Sequence, residues 1–427
     1  MTLEPDIRQR ILAAVDDAFD RQLEFTATLV AEPSLRGEER SAQDMMYSAM
    51  EERGLAMDRW TLDIDELSTH PGFGPVTVSY ENADNVVGTY EPTQPRGRSL
   101  ILNGHVDVVP TGPLENWSRS PWEPAVEDGW MYGRGAGDMK AGHAASLFAF
   151  DAIRAAGFDP AARIHFESVV EEESTGNGSL SALMRGYVAD AVLIPEPEEN
   201  MLVRANVGVI WFTVRVAGQP THPREMKNGF NAVDGAYAVI AELRKLEALW
   251  NAERGNHEYF ADLDHPINFN VGGISGGDWP SSVPAWCELQ MRVSIYPGLG
   301  VEEAWADIEK TLRAAADRPE LAGTSPVARR TGFNSEGYVL EPGSDAERTL
   351  AEAHQQAFGA GLETFTTPGY LDARVFALYA NVPSLVYGPR SEAIHGFDER
   401  VHLESVRNVT KAIALFIADW CGIDPRN

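Results

Sequence analysis

Five side chains with metal-binding chemistry lie in short polar segments spread along most of the chain. They are His105, Asp138, Glu173, Glu196 and His395. Most of these segments follow apolar runs that are typical of buried strands. Carboxylates and imidazoles at such places are costly unless they are paired, and a divalent cation suits both groups as a partner. The sequence therefore predicts a site for two metal ions and hydrolysis by a metal-activated water.

The first segment reads as a buried strand, residues 100–110, that runs into a His-x-Asp motif. Side chains two positions apart on a strand point the same way, so Asp107 is placed to orient His105 as a metal ligand. A buried hydrogen bond between the two side chains, without a metal, explains the same pattern. The segment by itself leaves both interpretations open.

A glycine-rich stretch, Tyr-Gly-Arg-Gly-Ala-Gly, precedes Asp138. It superficially suggests a phosphate-binding loop. An acidic residue at the end of the loop would repel phosphate, and the third glycine comes too early for the dinucleotide fingerprint. We interpret the glycines as allowing the backbone to approach a metal closely, with Asp138 as a candidate bridging ligand.

Three adjacent glutamates, residues 171–173, follow a strand that ends in two valines. In a metal site, one carboxylate can bind the ion while its neighbour takes a proton from the bound water. A solvated acidic loop is the alternative. Glu196 lies between two prolines at a strand end and has the rigid backbone of a ligand, although a surface glutamate in a turn also fits. His395 alone is more typical of a structural histidine.

The elements that must position these residues alternate between strands and helices. Helical periodicity covers residues 6–53, 139–156 and 403–420, and strands are predicted at residues 85–90, 99–103, 163–170, 191–194 and 384–387. This alternation predicts an α/β fold with a mixed, mostly parallel sheet sandwiched by helices. Ligands bind such sheets beyond the carboxyl ends of the strands, where the candidate residues fall.

The pattern changes near residue 207. Alternating strands at 209–216 and 286–295 combine with helices at 233–249 and 301–315, as in a β-α-β-β-α-β insert. We therefore predict a catalytic domain of residues 1–206 and 322–427, interrupted by a ferredoxin-like α+β domain of residues 207–321. The first sheet is expected to resume at residues 327–329, and the glycine-rich stretch 272–277 is predicted to be a loop.

Composition restricts the class of protein. A chain of 427 residues is too long for one ordinary core, and the net charge of −29 argues against nucleic acid or anionic membranes as partners. No apolar stretch approaches the roughly 20 residues of a membrane helix. Cys287 and Cys421 provide no disulfide framework, and residues 1–20 lack the apolar segment of a secretory signal. We therefore expect a cytoplasmic protein.

Together, the motifs resemble those of the two-zinc amidohydrolases that include acetylornithine deacetylase, succinyl-diaminopimelate desuccinylase, aminoacylase and bacterial glutamate carboxypeptidases. The resemblance covers residues 20–420 and depends on Gly-His-Val-Asp-Val-Val-Pro, Gly-Arg-Gly-Ala-Gly-Asp-Met-Lys and the paired glutamates. It implies a zinc-peptidase-like catalytic domain, an inserted lid and dimerisation domain, and a homodimer. It also implies two zinc ions, with cobalt or manganese as alternatives in a carboxylate-rich site.

The resemblance assigns metal ligands residue by residue. His105 and Glu196 would bind one ion, Glu173 and His395 would bind the other, and the Asp138 carboxylate would bridge both. It also implies a cis peptide bond after Asp138. Three glutamates in a row allow this register to slip by one residue.

The resemblance further implies residues that act on the substrate. Glu172 would be the general base, and Asp107 would be the partner that orients the first histidine ligand. His222 would reach the active site of the partner subunit and help to hold the oxyanion. Arg292 would bind a substrate carboxylate, although a surface arginine on a strand is the alternative, and Gly369 would offer a backbone N–H.

The reaction that follows is hydrolysis of the amide of a small N-acyl amino acid, by a hydroxide shared between two zinc ions with Glu172 as base. A metallopeptidase that cleaves dipeptides or C-terminal residues is the alternative within the same family. A binding or scaffold protein without metal is disfavoured because every ligand position carries a suitable residue.

Overall fold

The structure is a computed structural model that describes residues 3–318, 321 and 326–426. Its α-helices are α1 Pro5–Val30, α2 Arg40–Glu52, α3 Ile64–Leu67, α4 Ala141–Ala155, α5 Asn177–Met184, α6 Ala232–Ala252, α7 Val301–Ala315, α8 Asp345–Phe358, α9 Ala373–Ala380 and α10 Leu403–Cys421. Its strands are β1 Ala56–Thr61, β2 Asp84–Tyr90, β3 Leu100–His105, β4 Ala125–Glu127, β5 Trp130–Tyr132, β6 Phe158–Pro160, β7 Ile164–Val169, β8 Val192–Ile194, β9 Leu202–Asn206, β10 Gly208–Ala217, β11 Phe269–Gly276, β12 Trp286–Ile295, β13 Val327–Ser335, β14 Tyr338–Val339, β15 Thr364–Thr367, β16 Ser384–Val386, β17 Ser391–Glu392, β18 Arg400–His402 and β19 Ile423–Pro425.

The first sheet has the strand order β1-β2-β7-β3-β8-β16. Strands β7, β3, β8 and β16 pair in parallel, whereas β1 and β2 add an antiparallel edge. Every residue of β3 and β7 is buried, so both faces of the sheet are covered, as parallel sheets require. The predicted mixed, mostly parallel sheet between helices is therefore confirmed.

The helix after the glycine-rich stretch begins later than predicted. Residues Ala136–Lys140 form a π-helical turn in which Asp138 and Met139 have non-helical dihedral angles, and α4 starts at Ala141. Small residues fill the buried face of α4 and let it pack against α1 and α10. The turn, and not the helix, therefore sets the position of Asp138.

The second sheet has the order β11-β12-β10-β13, and all of its pairings are antiparallel. In chain order it reads β10-α6-β11-β12-α7-β13, which confirms the predicted ferredoxin-like α+β unit. Its helices cover one face, and their buried side chains form a separate hydrophobic cluster with those of the strands. The other face remains available to line a cavity.

Two predictions in this region are wrong. Residues 327–329 belong to β13, which pairs with β10 in the second sheet, so the first sheet does not resume there. Residues 272–277 are mostly strand, because the edge strand β11 tolerates glycines on a half-exposed face. Residues 1, 322 and 427, which limit the predicted domains, lie outside the described residues. The division into two domains stays a proposal. We extend the proposed insert to residue 335, where β13 ends.

A smaller sheet, β17-β18-β5-β4, joins distant parts of the chain. Strands β17 and β18 enclose the loop that carries His395, and β18 pairs with β5, which immediately precedes the glycine-rich stretch. This sheet therefore brings the loop at 393–399 next to the turn at 136–140. No helix among the described residues has both the length and the apolar character needed to cross a bilayer.

Candidate active site

Three of the predicted site segments follow neighbouring parallel strands. Strand β3 ends at His105, β7 ends two residues before the three glutamates, and β8 ends two residues before Glu196. Because β7, β3 and β8 are adjacent and parallel, their carboxyl ends meet at one edge of the sheet. The order of the strands thus brings together residues that are far apart in sequence.

Asp138 and His395 reach the same edge from turns and not from strand ends. The peptide bond between Asp138 and Met139 is cis, as predicted. His395 has a φ of 61°, in the left-handed region that few residues other than glycine adopt. The backbone at both positions is therefore held in unusual conformations beside the site.

The two carboxylate oxygens of Asp138 face two different histidines. Oδ1 lies 3.2 Å from Nε2 of His105, and Oδ2 lies 3.3 Å from Nε2 of His395. Nε2 of His105 is also 3.6 Å from Oε1 of Glu196, and Nε2 of His395 is 3.1 Å from Oε2 of Glu173. Asp138 therefore lies between two sets of side chains, each with an imidazole and a further carboxylate.

The ligand atoms of these sets fit two divalent cations. Those of His105, Asp138 and Glu196 lie within 4.8 Å of one another, and so do those of Asp138, Glu173 and His395. Oε1 of Glu196 is buried without a hydrogen-bond partner among the described residues, which is costly for an acceptor unless an ion satisfies it. Mixed imidazole and carboxylate ligands suit zinc and related ions.

The site is strongly charged. Burial raises the pKa of Asp138, but hydrogen bonds with His105 and His395 outweigh it and hold that pKa well below its usual range. The carboxylate of Glu173 raises the pKa of His395 to about 11, against the effect of burial. The carboxylates thus attract positive charge strongly at this edge of the sheet.

Glu171 and Glu172 have different surroundings. The Glu171 carboxylate accepts a hydrogen bond of 2.7 Å from Arg36, one of 2.6 Å from the Tyr80 hydroxyl and one of 2.9 Å from Thr175. The Glu172 carboxylate instead lines the cavity, 3.8 Å from Nε2 of His105. Burial raises the pKa of Glu172 well above its usual range, against the effect of His105. Glu171 is therefore occupied elsewhere, whereas Glu172 faces the ligand cluster.

The Asp107 carboxylate lies closer to the backbone of Glu173 than to the imidazole of His105. Its carboxylate accepts the N–H groups of Glu172 and Glu173, at 3.4 Å and 3.1 Å. Nδ1 of His105 lies 3.6 Å from that carboxylate but only 2.9 Å from the Asp107 carbonyl oxygen. Strand β3 ends at His105, so the expectation that side chains two positions apart on a strand point the same way does not apply to Asp107.

A cavity of about 850 Å³ opens above these groups. We call the lining residues from the first part of the fold the floor, and they include Asp138, Glu172, Glu173, Glu196, Glu198 and His395. We call the lining residues of the second sheet the roof, and they include Trp211, Thr213, Asn270, Gln290, Arg292, Arg329 and Phe333. The cavity therefore lies between the two sheets.

The structure brings two of the three remaining predicted residues to the cavity. Arg292 lines the roof and donates to the Ser294 hydroxyl at 2.9 Å and to the Pro368 carbonyl at 3.3 Å. Gly369, in a loop of the first part of the fold, also lines the cavity. His222 is exposed, accepts the N–H of Arg224 through Nδ1, and is not among the residues that line the cavity. Within one chain, His222 therefore does not meet the other site residues.

Sequence reasoning missed several lining residues. Glu198 lies two positions after Glu196 and contributes a further carboxylate, and this spacing was the available signal. Phe333 contacts Trp211 and Tyr370 and forms an aromatic wall with them. The wall joins residues from β10, β13 and a loop of the first part of the fold, so no local pattern in the sequence indicates it.

Comparison with known proteins agrees with this geometry. Peptidase family M20/M25/M40 matches residues 101–419 of the chain. The chain is 28% identical to N-formyl-4-amino-5-aminomethyl-2-methylpyrimidine deformylase of Halalkalibacterium halodurans, with 97% of each chain covered. It is 26% identical to succinyl-diaminopimelate desuccinylase of Methylobacillus flagellatus, with 92% of this chain and 98% of the relative covered.

Solved structures share the fold at lower identity. The dipeptidase Dug1p from Saccharomyces cerevisiae superimposes with a TM-score of 0.78 at 15% identity, over 97% of this chain and 98% of that chain. The Bacillus subtilis protein YXEP, described as a dinuclear metal-binding peptidase, gives a TM-score of 0.56 at 15% identity, over 95% and 99% of the two chains. The family match covers most of the sequence, and the chain therefore belongs to peptidase family M20/M25/M40 and is a metal-dependent amide hydrolase.

Proposed function

We propose that the chain is a deacylase that removes a small acyl group from the amine nitrogen of an amino-acid-like molecule. The proposal depends on one observation: four of the candidate metal ligands, Asp138, Glu173, Glu196 and His395, line the floor of a cavity of about 850 Å³, which suits a small molecule. The named activities of the two curated relatives support it, because a deformylase and a desuccinylase both remove acyl groups.

In this proposal, His105 and Glu196 bind one divalent ion and Glu173 and His395 bind the other. The two carboxylate oxygens of Asp138 face different histidines, so Asp138 would lie between the two ions. Zinc is the proposed metal, with cobalt and manganese as substitutes. Such ions, when bound, polarise a carbonyl oxygen and lower the pKa of a coordinated water.

Glu172 is the proposed general base. Its carboxylate lines the cavity and approaches His105 to 3.8 Å, whereas the neighbouring Glu171 is held by other partners. Glu172 takes a proton from the attacking water and delivers it to the leaving amine nitrogen. Burial raises the pKa of Glu172, which makes its carboxylate a stronger base for this double role. Asp107 supports the turn that presents Glu172, through the two backbone N–H groups that it accepts.

The roof and the loop that carries Gly369 are proposed to bind the rest of the substrate. The two hydrogen bonds of Arg292 leave other N–H groups of the guanidinium for a substrate carboxylate. The N–H of Gly369 donates to Thr367 at 3.2 Å, so this donor needs a small rearrangement to reach a ligand. His222, exposed on the insert, is proposed to complete the site of a partner subunit in a homodimer. We also propose that the enzyme acts in the cytoplasm.

A dipeptidase is the second candidate, and a specific residue favours it. Glu198 lines the floor, and burial together with the neighbouring Glu196 raises its pKa to about 8, as expected of a carboxyl group that pairs with no cation among the described residues. A dipeptide carries a free ammonium group next to its scissile amide, and an unpaired carboxylate would bind that group. Most N-acyl amino acids have no such cation.

A substrate panel tests both candidates. Purified enzyme is loaded with zinc or cobalt and assayed with N-formyl, N-acetyl and N-succinyl amino acids, with N-formylated heteroaromatic amines, and with dipeptides of matched side chains. We expect the highest kcat/KM for an N-acyl substrate. If dipeptides are cleaved faster and Glu198→Gln selectively weakens their binding, the second candidate replaces the first.

A further inference from the structure

A buried ion pair contacts the backbone of the segments that carry two of the candidate metal ligands, Asp138 and His395. It consists of Arg134 and Glu399, which are each 1% exposed and are joined by a hydrogen bond from Nη1 to Oε2. Neither residue is among the candidate ligands, and neither lines the cavity. We call this pair the clasp.

The Glu399 side of the clasp holds the turn that carries Asp138. Its Oε1 accepts the backbone N–H of Gly137 at 3.0 Å and that of Asp138 at 3.1 Å. The Glu399 carbonyl oxygen accepts the N–H of Gly133 at 3.0 Å, at the start of the same glycine-rich stretch. The backbone next to Asp138 is therefore fixed by a side chain from a distant part of the sequence.

The Arg134 side of the clasp holds two other segments. Nη2 donates to the carbonyl oxygen of Gly396 at 3.0 Å and to that of Pro110 at 3.4 Å. Gly396 directly follows His395, and Pro110 closes the segment that begins with His105. The guanidinium therefore connects the loops next to two histidine ligands, with the spread of donors that a planar fork provides.

Stability alone explains such a pair poorly. Removing two charges from water costs several kcal/mol per ion, and buried pairs often add little net stability compared with apolar residues. Here the charges are used for hydrogen bonds to the backbone of three segments that carry proposed ligands. We infer that the clasp is a positioning device that fixes Asp138 and His395 for binding of the second ion, an inference that rests on the proposed ligand roles.

The two ions should depend on the clasp unequally. His105 belongs to a central strand, and Glu196 follows the end of another. Asp138 and His395 lie in a turn and a loop that the clasp holds. Both ions share Asp138, but only the ion held with Glu173 also depends on His395. Loss of the clasp should therefore weaken the ion held by Asp138, Glu173 and His395 more than the ion held by His105, Asp138 and Glu196.

The test measures metal binding and not turnover. Full-length wild type, Glu399→Ala, Glu399→Gln and Arg134→Lys are stripped of metal and titrated with zinc against a competing chromogenic chelator. We expect two ions per wild-type chain, with the weaker site of Glu399→Ala losing about 10- to 100-fold in affinity, as for other residues that orient metal ligands. Glu399→Gln keeps an acceptor for the two N–H groups, so its loss should be smaller.

A distant ion pair provides the matched control. Arg204 and Glu347 also form a largely buried pair, and Glu347 accepts the N–H of Gly343 at 2.8 Å, but neither residue lines the cavity. Glu347→Ala should lower the melting temperature and leave both zinc affinities unchanged.

Three outcomes are decisive. A folded Glu399→Ala or, if that variant does not fold, a folded Arg134→Lys that binds two ions with wild-type affinity would overturn the inference and leave the proposed function intact. An equal loss of affinity in Glu347→Ala would also overturn it, because a general loss of stability would then explain the effect. A wild type that binds no metal would overturn both the inference and the proposed function.

Discussion

The floor and the roof of the cavity differ in charge and in origin. The floor presents five carboxylates, Asp138, Glu172, Glu173, Glu196 and Glu198, from turns around the ends of parallel strands. The described roof residues include no carboxylate and present Arg292 and Arg329 with amide, hydroxyl and aromatic side chains. An anionic floor suits cations, and a neutral to basic roof suits an acidic or polar small molecule.

This difference separates two tasks. Residues at the carboxyl ends of adjacent strands are held rigidly, so they can keep several like charges together for metal binding. A half-exposed antiparallel sheet offers side chains that can change without disturbing a core, so it can adapt to different substrates. We therefore expect floor variants to change turnover and metal content, and roof variants to change substrate affinity.

Removal of the metal ions should have the largest effect on activity, and it tests the assignment of the floor. Dialysis against a strong chelator should reduce amide hydrolysis to near the uncatalysed background, because in the proposed mechanism the ions polarise the carbonyl oxygen and lower the pKa of the attacking water. Addition of zinc should restore activity and raise the melting temperature, since ligand binding stabilises the folded state. Activity that survives in protein shown to be metal-free by mass spectrometry would contradict the assignment of the floor.

Substitution of the general base should have the next largest effect. Glu172→Ala should lower kcat by about 10²–10⁴-fold, because proton transfer to and from the reacting groups is lost. Zinc content should stay at the wild-type level, since Glu172 is not a proposed ligand. Steady-state kinetics and metal analysis on the same sample check both expectations.

Glu171→Gln is the neighbouring control. Glu171 accepts hydrogen bonds from Arg36, Tyr80 and Thr175, so its loss should mainly lower the free energy of unfolding. A large loss of kcat in folded Glu171→Gln, together with normal turnover in Glu172→Ala, would show that the register of the glutamates is shifted by one residue.

Substitution of a roof residue should mainly change KM. Arg292→Ala should raise KM about 10- to 100-fold for substrates with a free carboxylate, the range expected for loss of a charge-assisted hydrogen bond. The kcat should change little, because Arg292 does not touch the floor groups. Amide analogues of the same substrates, which lack the negative charge, should show little difference between the variant and the wild type.

Arg215→Ala is the matched control for the roof. Arg215 lies on β10 and points to the same side of the second sheet as Thr213, but it is exposed, pairs with Glu288 at 3.6 Å and is not among the cavity-lining residues. Its replacement should leave KM unchanged. An equal effect of both substitutions would indicate that the net charge of the insert, and not contact with the substrate, controls binding.

The smallest expected effect concerns the pH dependence of stability. It compares the floor carboxylates with Glu167, a buried carboxyl group that does not line the cavity. Burial raises the pKa of Glu167 to about 8, against the effect of a hydrogen bond from Asn103. The folded state therefore keeps a proton that the unfolded state releases, so stability falls as pH rises from about 4.5 to about 8. Glu167→Gln should match wild type near pH 5 and be more stable by about 1–3 kcal/mol at pH 9.

Urea denaturation at the two pH values measures this difference. The zinc-loaded floor carboxylates should show no such trend, because a bound cation keeps them ionised in the folded state. A wild type with the same pH dependence as Glu167→Gln would contradict the raised pKa.

Local patterns in the sequence predicted most of the elements. Strand β12 and helix α7 begin and end where alternating and helical periodicity placed them, and the residues at the ends of β3, β7 and β8 were identified from apolar runs that end in polar groups. Periodicity did not indicate which sheet a strand joins, because β13 has the same local pattern in either sheet. The glycines of β11 were taken for a loop, since edge strands tolerate residues that loops also favour.

The sequence by itself determined which side chains were available for metal chemistry and that they follow buried strands, because residue type and hydrophobic period are local properties. Only the tertiary structure decided which atoms meet. It directed Glu171 to Arg36 and Glu172 to the cavity, placed the two oxygens of Asp138 between two histidines, and joined Arg134 to Glu399. Those contacts depend on the order of strands and on loops that return from distant parts of the chain.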